Sequence, residues 1–319
     1  MATWADSAEI SRAIGLVKCL GENGGAMLGL AGSQLLLTAS LSAPIRIGGL
    51  ELVFVVPGVL GLVWVVVFLA LVPTRRRSPG KGGGAPPPWR ALLTEPAALA
   101  TYFNHGASSW LNYLLLTELP SLAAGPLGLT GASASAAVAT PYIFVGSGLL
   151  VGGRVCDACI ARGFKRGSVR VTVQAGGAAA GLLGACAAAA ALRGATWPAL
   201  GLLNAAALAQ SGTGLGACAV FLELSKKHSG VFYAISNVFA TIPGIVAPLA
   251  TTALIDSTGQ SGWIWSFGIG GLISFAAVVP FASLFFGTSL EPRRAIDGDP
   301  SADLDAPLLL AREEGSTIG

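Results

Sequence analysis

The third apolar run of this 319-residue chain reads TYFNHGASSWLNYLLLTELP, and its polar residues recur at helical spacing. Thr101, His105, Ser108 and Asn112 form one stripe, and Tyr102, Ser109, Tyr113 and Thr117 form the stripe beside it. Polar side chains are costly in lipid-spanning sequence, so two adjoining stripes are the expected wall of an aqueous cavity that handles a polar or charged solute. Ser, Asn and Tyr can also serve as hydrogen-bonding glue between neighbouring helices. A second helix carries a related signal. Between Val231 and Leu254, Tyr233, Asn237, Thr241, Gly244 and Pro248 lie near one face, and Pro243 and Pro248 free backbone carbonyls in mid-membrane, as kinked transporter helices do.

Other chemistries lack their residues. There is no HExxH, GxSxG or P-loop, no paired intramembrane Asp motif, and only two His, so enzymatic function is not expected. Of the five Cys, Cys156 and Cys159 make a lone CxxC with no second pair or nearby His. Zinc is therefore not expected, and neither is an extracellular disulfide framework or any other cofactor. The net charge of +3 arises from loop residues that membrane topology explains, which argues against nucleic-acid binding.

The elements that must position these residues are membrane helices. With 53% apolar and only 11% charged residues, the chain falls far short of the roughly 25% charge that a soluble surface needs. Eight apolar runs can cross a bilayer, at about 24–43, 51–73, 97–118, 134–153, 169–191, 196–222, 231–254 and 264–287. Val53 to Val72 is apolar on every face, which excludes an alternating barrel strand. Alternate connections hold 17 of the 19 Lys and Arg, and only Arg46 and Arg193 fall on the other side. That asymmetry predicts an even number of spans with both termini in the cytoplasm, and it places Arg12 and Lys18 before the first span. Met1 to Leu20 has no signal-peptide core.

The chain divides into two helices within 1–73, a basic and Gly/Pro-rich cytoplasmic linker at 74–96, six helices within 97–287, and a polar cytoplasmic tail at 288–319 expected to be disordered. In the tail, Asp305 with Leu309 and Leu310 fits an acidic dileucine sorting pattern. Plasma, vacuolar or lysosomal, and plastid membranes all remain open.

WLNYLLLTELP, VGGRVCDACIARGFKRGSVR and FLELSKKHSGVFYAISNVFATIPGIVAPL resemble successive signatures of the anion:cation symporters of the major facilitator superfamily. That branch holds sialin, the vesicular glutamate transporters and plant phosphate or anion transporters. Trp4, Glu9 and GLELVFVVPG resemble earlier family motifs, with Ile10 in place of an Arg and Leu50 in place of a Trp; the resemblance spans residue 4 to about 290. It implies an all-α major facilitator fold in which the eight spans correspond to helices five to twelve of twelve. Residues 1–73 would then end the N-terminal bundle, and 97–287 would form the C-terminal bundle. The first four helices, with the family's substrate-binding Arg and an acidic residue, would not be in this chain.

The resemblance also implies roles. Tyr113 matches a Tyr that faces substrate, while Ser108 stands where vesicular glutamate transporters have Arg. That difference favours phosphate or a monocarboxylate over a dicarboxylate, which would want a second bidentate partner. With His105, Asn112 and Asn237 these residues make the expected substrate pathway. Asp157 matches an Asp of a cytoplasmic loop, where Arg154, Arg162 and Arg166 could form an ion-pair latch with it. Glu223 and Lys227 stand for the Asp and Arg of a second cytoplasmic motif, Lys226 replaces its Pro, and Phe221 replaces a His just before it. The expected function is secondary active transport of a small anion such as phosphate or a carboxylate, coupled to H⁺ or Na⁺, in a chain read as truncated. The alternative is a non-transporting remnant or regulatory subunit that pairs with a full-length transporter.

Overall fold

The computed structural model describes residues 9–38, 48–71, 86–225 and 227–290. Trp4, Arg46, Lys226, the dileucine pattern, most of the 74–96 linker and nearly all of the 288–319 tail lie outside the described residues. Within them the chain is helical, with no strand, and forms eight rods.

The first rod comprises α1 (Ile10–Val17), a π-helical segment (Lys18–Asn23) and α2 (Gly24–Thr38). It is followed by α3 (Gly49–Leu71) and a short α4 (Trp89–Thr94). The next rod is α5 (Pro96–Tyr113), continued by a second π-helical segment (Leu114–Glu118) and α6 (Leu119–Ala124). Then come α7 (Gly131–Ala161), α8 (Arg166–Ala178) with α9 (Ala180–Leu192), α10 (Thr196–Leu224), α11 (Ser229–Thr258) and α12 (Gly262–Phe285). Membrane-spanning length and apolarity are met by α3, α7, the α8–α9 rod, α10 and the run holding α11 and α12. The chain is an all-α, multi-pass membrane protein.

One boundary needs correcting. Arg12 and Lys18 do not precede the first span but lie inside its rod, which starts at Ile10 rather than near residue 24. Hydropathy missed this stretch because its charges mask an amphipathic pattern that buries Ser11, Ile14 and Gly15. Arg170, near the start of the 169–191 run, is buried in α8.

In lipid, helices gain little from excluding water and associate by close packing, so small residues mark the crossings. On α7, Gly146 and Gly153 admit Cys19 and the backbone of Ser11, and Gly15 lies against the backbone of Leu149. At the α9–α12 crossing, Gly181 and Gly271 put backbone on backbone, whereas Gly201 faces open space. Aromatic packing does the same work at the α5–α11 contact: Tyr102 stacks on Phe239 at 5.3 Å and meets Phe232 edge-on. The Tyr102 hydroxyl donates to the Leu92 carbonyl at 2.8 Å, fastening α4 to α5.

Gly181→Leu is therefore expected to lower the stability of the detergent-solubilised chain by about 1–3 kcal/mol, the usual cost of overpacking, and Gly201→Leu to leave it nearly unchanged. Equal melting temperatures for the two variants would contradict this assignment of the crossing.

Candidate functional site: a polar cleft and the ion-pair network below it

A small cleft of about 50 Å³, open at its mouth, lies among the first rod, α5, α7 and α10. His105, Ser108 and Asn112 line it together, as their helical spacing predicts. Tyr113 does not line it. Its ring packs on α11, where a Cβ at Gly244 would sit 2.8 Å from the ring Cζ. Asn237 is exposed on α11 and is also absent from the wall; its carbonyl accepts from the Thr241 hydroxyl at 2.8 Å. Tyr102, from the second stripe, is wholly buried in the aromatic contact described above.

Much of the wall's polarity is spent internally. Ser108 Oγ donates to the Asn104 carbonyl at 2.7 Å and accepts from Gln174 Nε2 at 2.8 Å, while Gln210 Nε2 donates to the Ser108 carbonyl at 3.0 Å. Ser109 donates to the His105 carbonyl at 2.8 Å. His105 Nδ1 is 2.9 Å from Ser236 Oγ, and its ring meets both Tyr233 and Phe221, which also pack on each other. Asn112, by contrast, makes no hydrogen bond within the protein among the described residues.

Sequence reasoning missed the charged part of the wall. Lys18 and Glu22, from the π-helical segment, line the cleft and form an ion pair. Their signal was a Lys and a Glu four residues apart on a stretch that hydropathy had left outside the membrane. Gln210, Ser211 and Thr213 of α10 were also missed, although they are a polar cluster inside an Ala-rich run.

Toward the ends of α7, α8 and α10 lies a second polar system. Glu223 accepts from Arg170 Nη2 at 2.7 Å and Nε at 3.1 Å, and Arg170 Nη1 donates to Ser11 Oγ at 2.8 Å. Arg166 stands 4.0 Å from the same carboxylate. Asp157 accepts from the backbone N–H of Ser11 at 3.2 Å and of Arg12 at 2.9 Å, and pairs with Arg12 Nε at 3.4 Å. It thus caps the N-terminus of α1, where the helix dipole favours a carboxylate. The expected latch partners Arg154 and Arg162 are exposed on the surface and make no ion pair among the described residues; Arg12 takes their place. Glu223 is held chiefly by Arg170, and Lys227 lies in the short turn that follows α10. Arg154 and Arg162 differ from the expected latch because spacing in sequence cannot say which helix end packs beside which.

A lipid-embedded bundle of helices around a polar cleft with one Lys on its wall defines the class: a multi-pass membrane protein suited to moving a polar solute. No family model matches the chain. Among curated proteins it is 25% identical over 306 residues to a probable vesicular glutamate transporter of Caenorhabditis elegans, covering 88% of this chain and 50% of that one. It is 24% identical over 278 residues to the chloroplastic ascorbate transporter of Arabidopsis thaliana, covering 80% and 48%. A chloroplastic sodium-dependent phosphate transport protein of the same plant is 25% identical over 278 residues, covering 80% and 51%. The chain spans about half the length of the curated relatives it matches. By their names these homologues are anion transporters, not enzymes.

The Arg170–Glu223 pair makes a checkable prediction. Glu223→Leu, which leaves the guanidinium buried and unpaired, is expected to cost about 3–5 kcal/mol, and the double variant Arg170→Met with Glu223→Leu to recover most of it. Additive losses in thermal unfolding would show that the two side chains do not act as a pair.

Proposed function

We propose that this chain forms part of a secondary active transporter that carries small anions, such as phosphate or a carboxylate, across a membrane by alternating access, driven by an H⁺ or Na⁺ gradient. The observation that carries the reading is the cleft itself: it has a single Lys or Arg, Lys18, on its wall among the described residues, in a chain whose homologues are anion transporters. His105, Ser108 and Asn112 belong to the substrate pathway in this reading, and Tyr113 and Asn237 serve it from α11's side by shaping that helix. Ser108 offers only a hydroxyl and a carbonyl, both already engaged, so the wall suits an anion with one charged group.

The network of Asp157, Arg12, Arg170 and Glu223 would be the cytoplasmic gate, with Arg154, Arg162 and Lys227 contributing to the positive cytoplasmic face. Rocking the first rod away from α7 would break the Asp157 contacts with the α1 backbone, which gives the gate two discrete states. Both termini would lie in the cytoplasm, and the open side of the cleft would be completed by further helices from a longer form of the chain or from a full-length partner.

Membrane vesicles that hold the chain together with the helices that complete its cleft are expected to take up at least one of phosphate, ascorbate and glutamate when an inward H⁺ or Na⁺ gradient is imposed, and to lose that uptake when the gradient is collapsed. Asp157→Asn should slow uptake about tenfold while leaving equilibrium binding of the same anion within about threefold, as expected for a gate rather than a ligand. No uptake of any of the three under either gradient would overturn the transport reading for this chain.

A further inference from the structure

The turn at 162–165 joins α7 to the α8–α9 rod, and both have membrane-spanning length and apolarity. It therefore lies at a membrane–water boundary whichever way the chain is inserted. The turn is well ordered. Gly163, at φ 93°, takes the left-handed position that ends a helix: its N–H donates to the Ile160 carbonyl at 3.0 Å, and the Phe164 N–H donates to the Cys159 carbonyl at 3.2 Å. The end of α12 holds the start of α8, since the Gly167 N–H donates to the Thr288 carbonyl at 2.9 Å and the Gly287 N–H to Ser168 Oγ at 3.0 Å. This frame presents Phe164, 60% exposed, between Arg162 and Lys165, and α12 adds an exposed Phe286 at the same end.

The basic side chains here lack counter-ions. The nearby carboxylates are engaged: Asp157 by Arg12 and the α1 backbone, and Glu223 by Arg170, with Arg166 at 4.0 Å. Arg154, Arg162 and Lys165 are exposed and make no ion pair among the described residues. Arg154 decides the chemistry of the partner. It lies within the spanning helix α7, about 12 Å from Arg162 at 1.5 Å per residue. It shares its face with Val151 and Val155, both more than half exposed. An unpaired guanidinium among lipid-facing apolar side chains is tolerated when it reaches the headgroup phosphates.

We propose that Arg154, Arg162 and Lys165 form a binding site for an anionic phospholipid. They hold its phosphate, its acyl chains lie along Val151 and Val155, and Phe164 inserts beside them at the headgroup level. Guanidinium forks match phosphate oxygens two at a time, and the Lys adds a point charge. A headgroup boundary accommodates an apolar ring flanked by cations, because the ring enters the acyl layer while the charges stay with the phosphates. A free anion or an acidic peptide would use the charges and leave Phe164 in water. Such a site binds the bilayer rather than the cargo and is independent of the transport reading.

The test reconstitutes the full chain into phosphatidylcholine vesicles containing a small fraction of either phosphatidylglycerol or phosphatidylcholine with a photoactivatable acyl chain, and maps the labelled peptides. Phosphatidylglycerol should label the stretch from Val151 to Arg166 at least about tenfold more than phosphatidylcholine does. Arg154→Gln, Arg162→Gln and Lys165→Gln should each cut that excess about fivefold, and Lys165→Arg should keep it. A variant with Arg75, Arg76 and Arg77 all changed to Gln, which removes as much charge elsewhere, should also keep it. Because the three site residues are exposed, their variants should melt as wild type does, so lost labelling is not lost folding.

Equal labelling by the two lipids, or an excess that falls as far in the Arg75, Arg76 and Arg77 variant as in the site variants, would overturn the site. So would loss of the excess to inorganic phosphate at an ionic strength matched with chloride, which would assign the patch to a soluble anion. No labelling by either lipid would mark the face as covered by protein, and an excess that appears only after removal of 291–319 would give the patch to the chain's own acidic tail; either would overturn the proposal.

Discussion

Arg170 is almost completely buried and carries a charge that no lipid can solvate, and its satisfaction organises one end of the molecule. Three of its guanidinium nitrogens are used: two grip Glu223 of α10 and the third donates to Ser11 of α1. A buried ion pair of this kind adds little net stability against an apolar substitute, but it penalises strongly any arrangement that leaves one partner alone. It therefore acts as a specificity device. α8 and α10 must meet in one register, and α1 must present its Ser11 face to both.

That constraint reaches the cleft through the geometry of the first rod. Ser11 is tied to Arg170 and, with Arg12, to Asp157 of α7, so the rotation of α1 about its axis is settled at its first turn. Lys18 follows Ser11 by seven residues, close to two helical turns, and so emerges on nearly the same face. Gly15, midway between them, lets the rod lie directly on the α7 backbone near Leu149. The network that would gate the protein and the basic residue of the cleft wall thus sit on one rigid element, two turns apart. Any movement that releases Asp157 from the α1 N-terminus also moves Lys18 and Glu22 relative to α5 and α10.

The wall of α5 and α10 is comparatively inert. Its hydroxyls return to their own helix, as Ser108 does to Asn104 and Ser109 to His105, and Gln174 and Gln210 each donate an amide N–H to Ser108. Because bilayer-buried polar groups must find partners within the protein, most of the stripe read from the sequence turns out to be both glue and lining at once. Asn112 and the charged pair keep hydrogen-bonding capacity that an incoming solute could engage.

The class of fold was legible from composition and run length alone, because a bilayer of given thickness demands apolar helices of about twenty residues whatever their partners. Seven of the eight rods overlap their apolar runs nearly end to end, and the stripe of His105, Ser108 and Asn112 was readable because helical periodicity puts those residues on one face before any neighbour is known. Periodicity is a local property. Which face meets which helix is not, and this is where Tyr113, Asn237, Arg154 and Arg162 parted from expectation and where Arg12, Arg170, Lys18 and Glu22 emerged. Charged residues near the ends of an amphipathic stretch look like loop flanks to any hydropathy measure. Only the packing of the first rod against α7, α8 and α10 placed them inside, because the partners that make their burial tolerable come from helices up to 159 residues away in the chain.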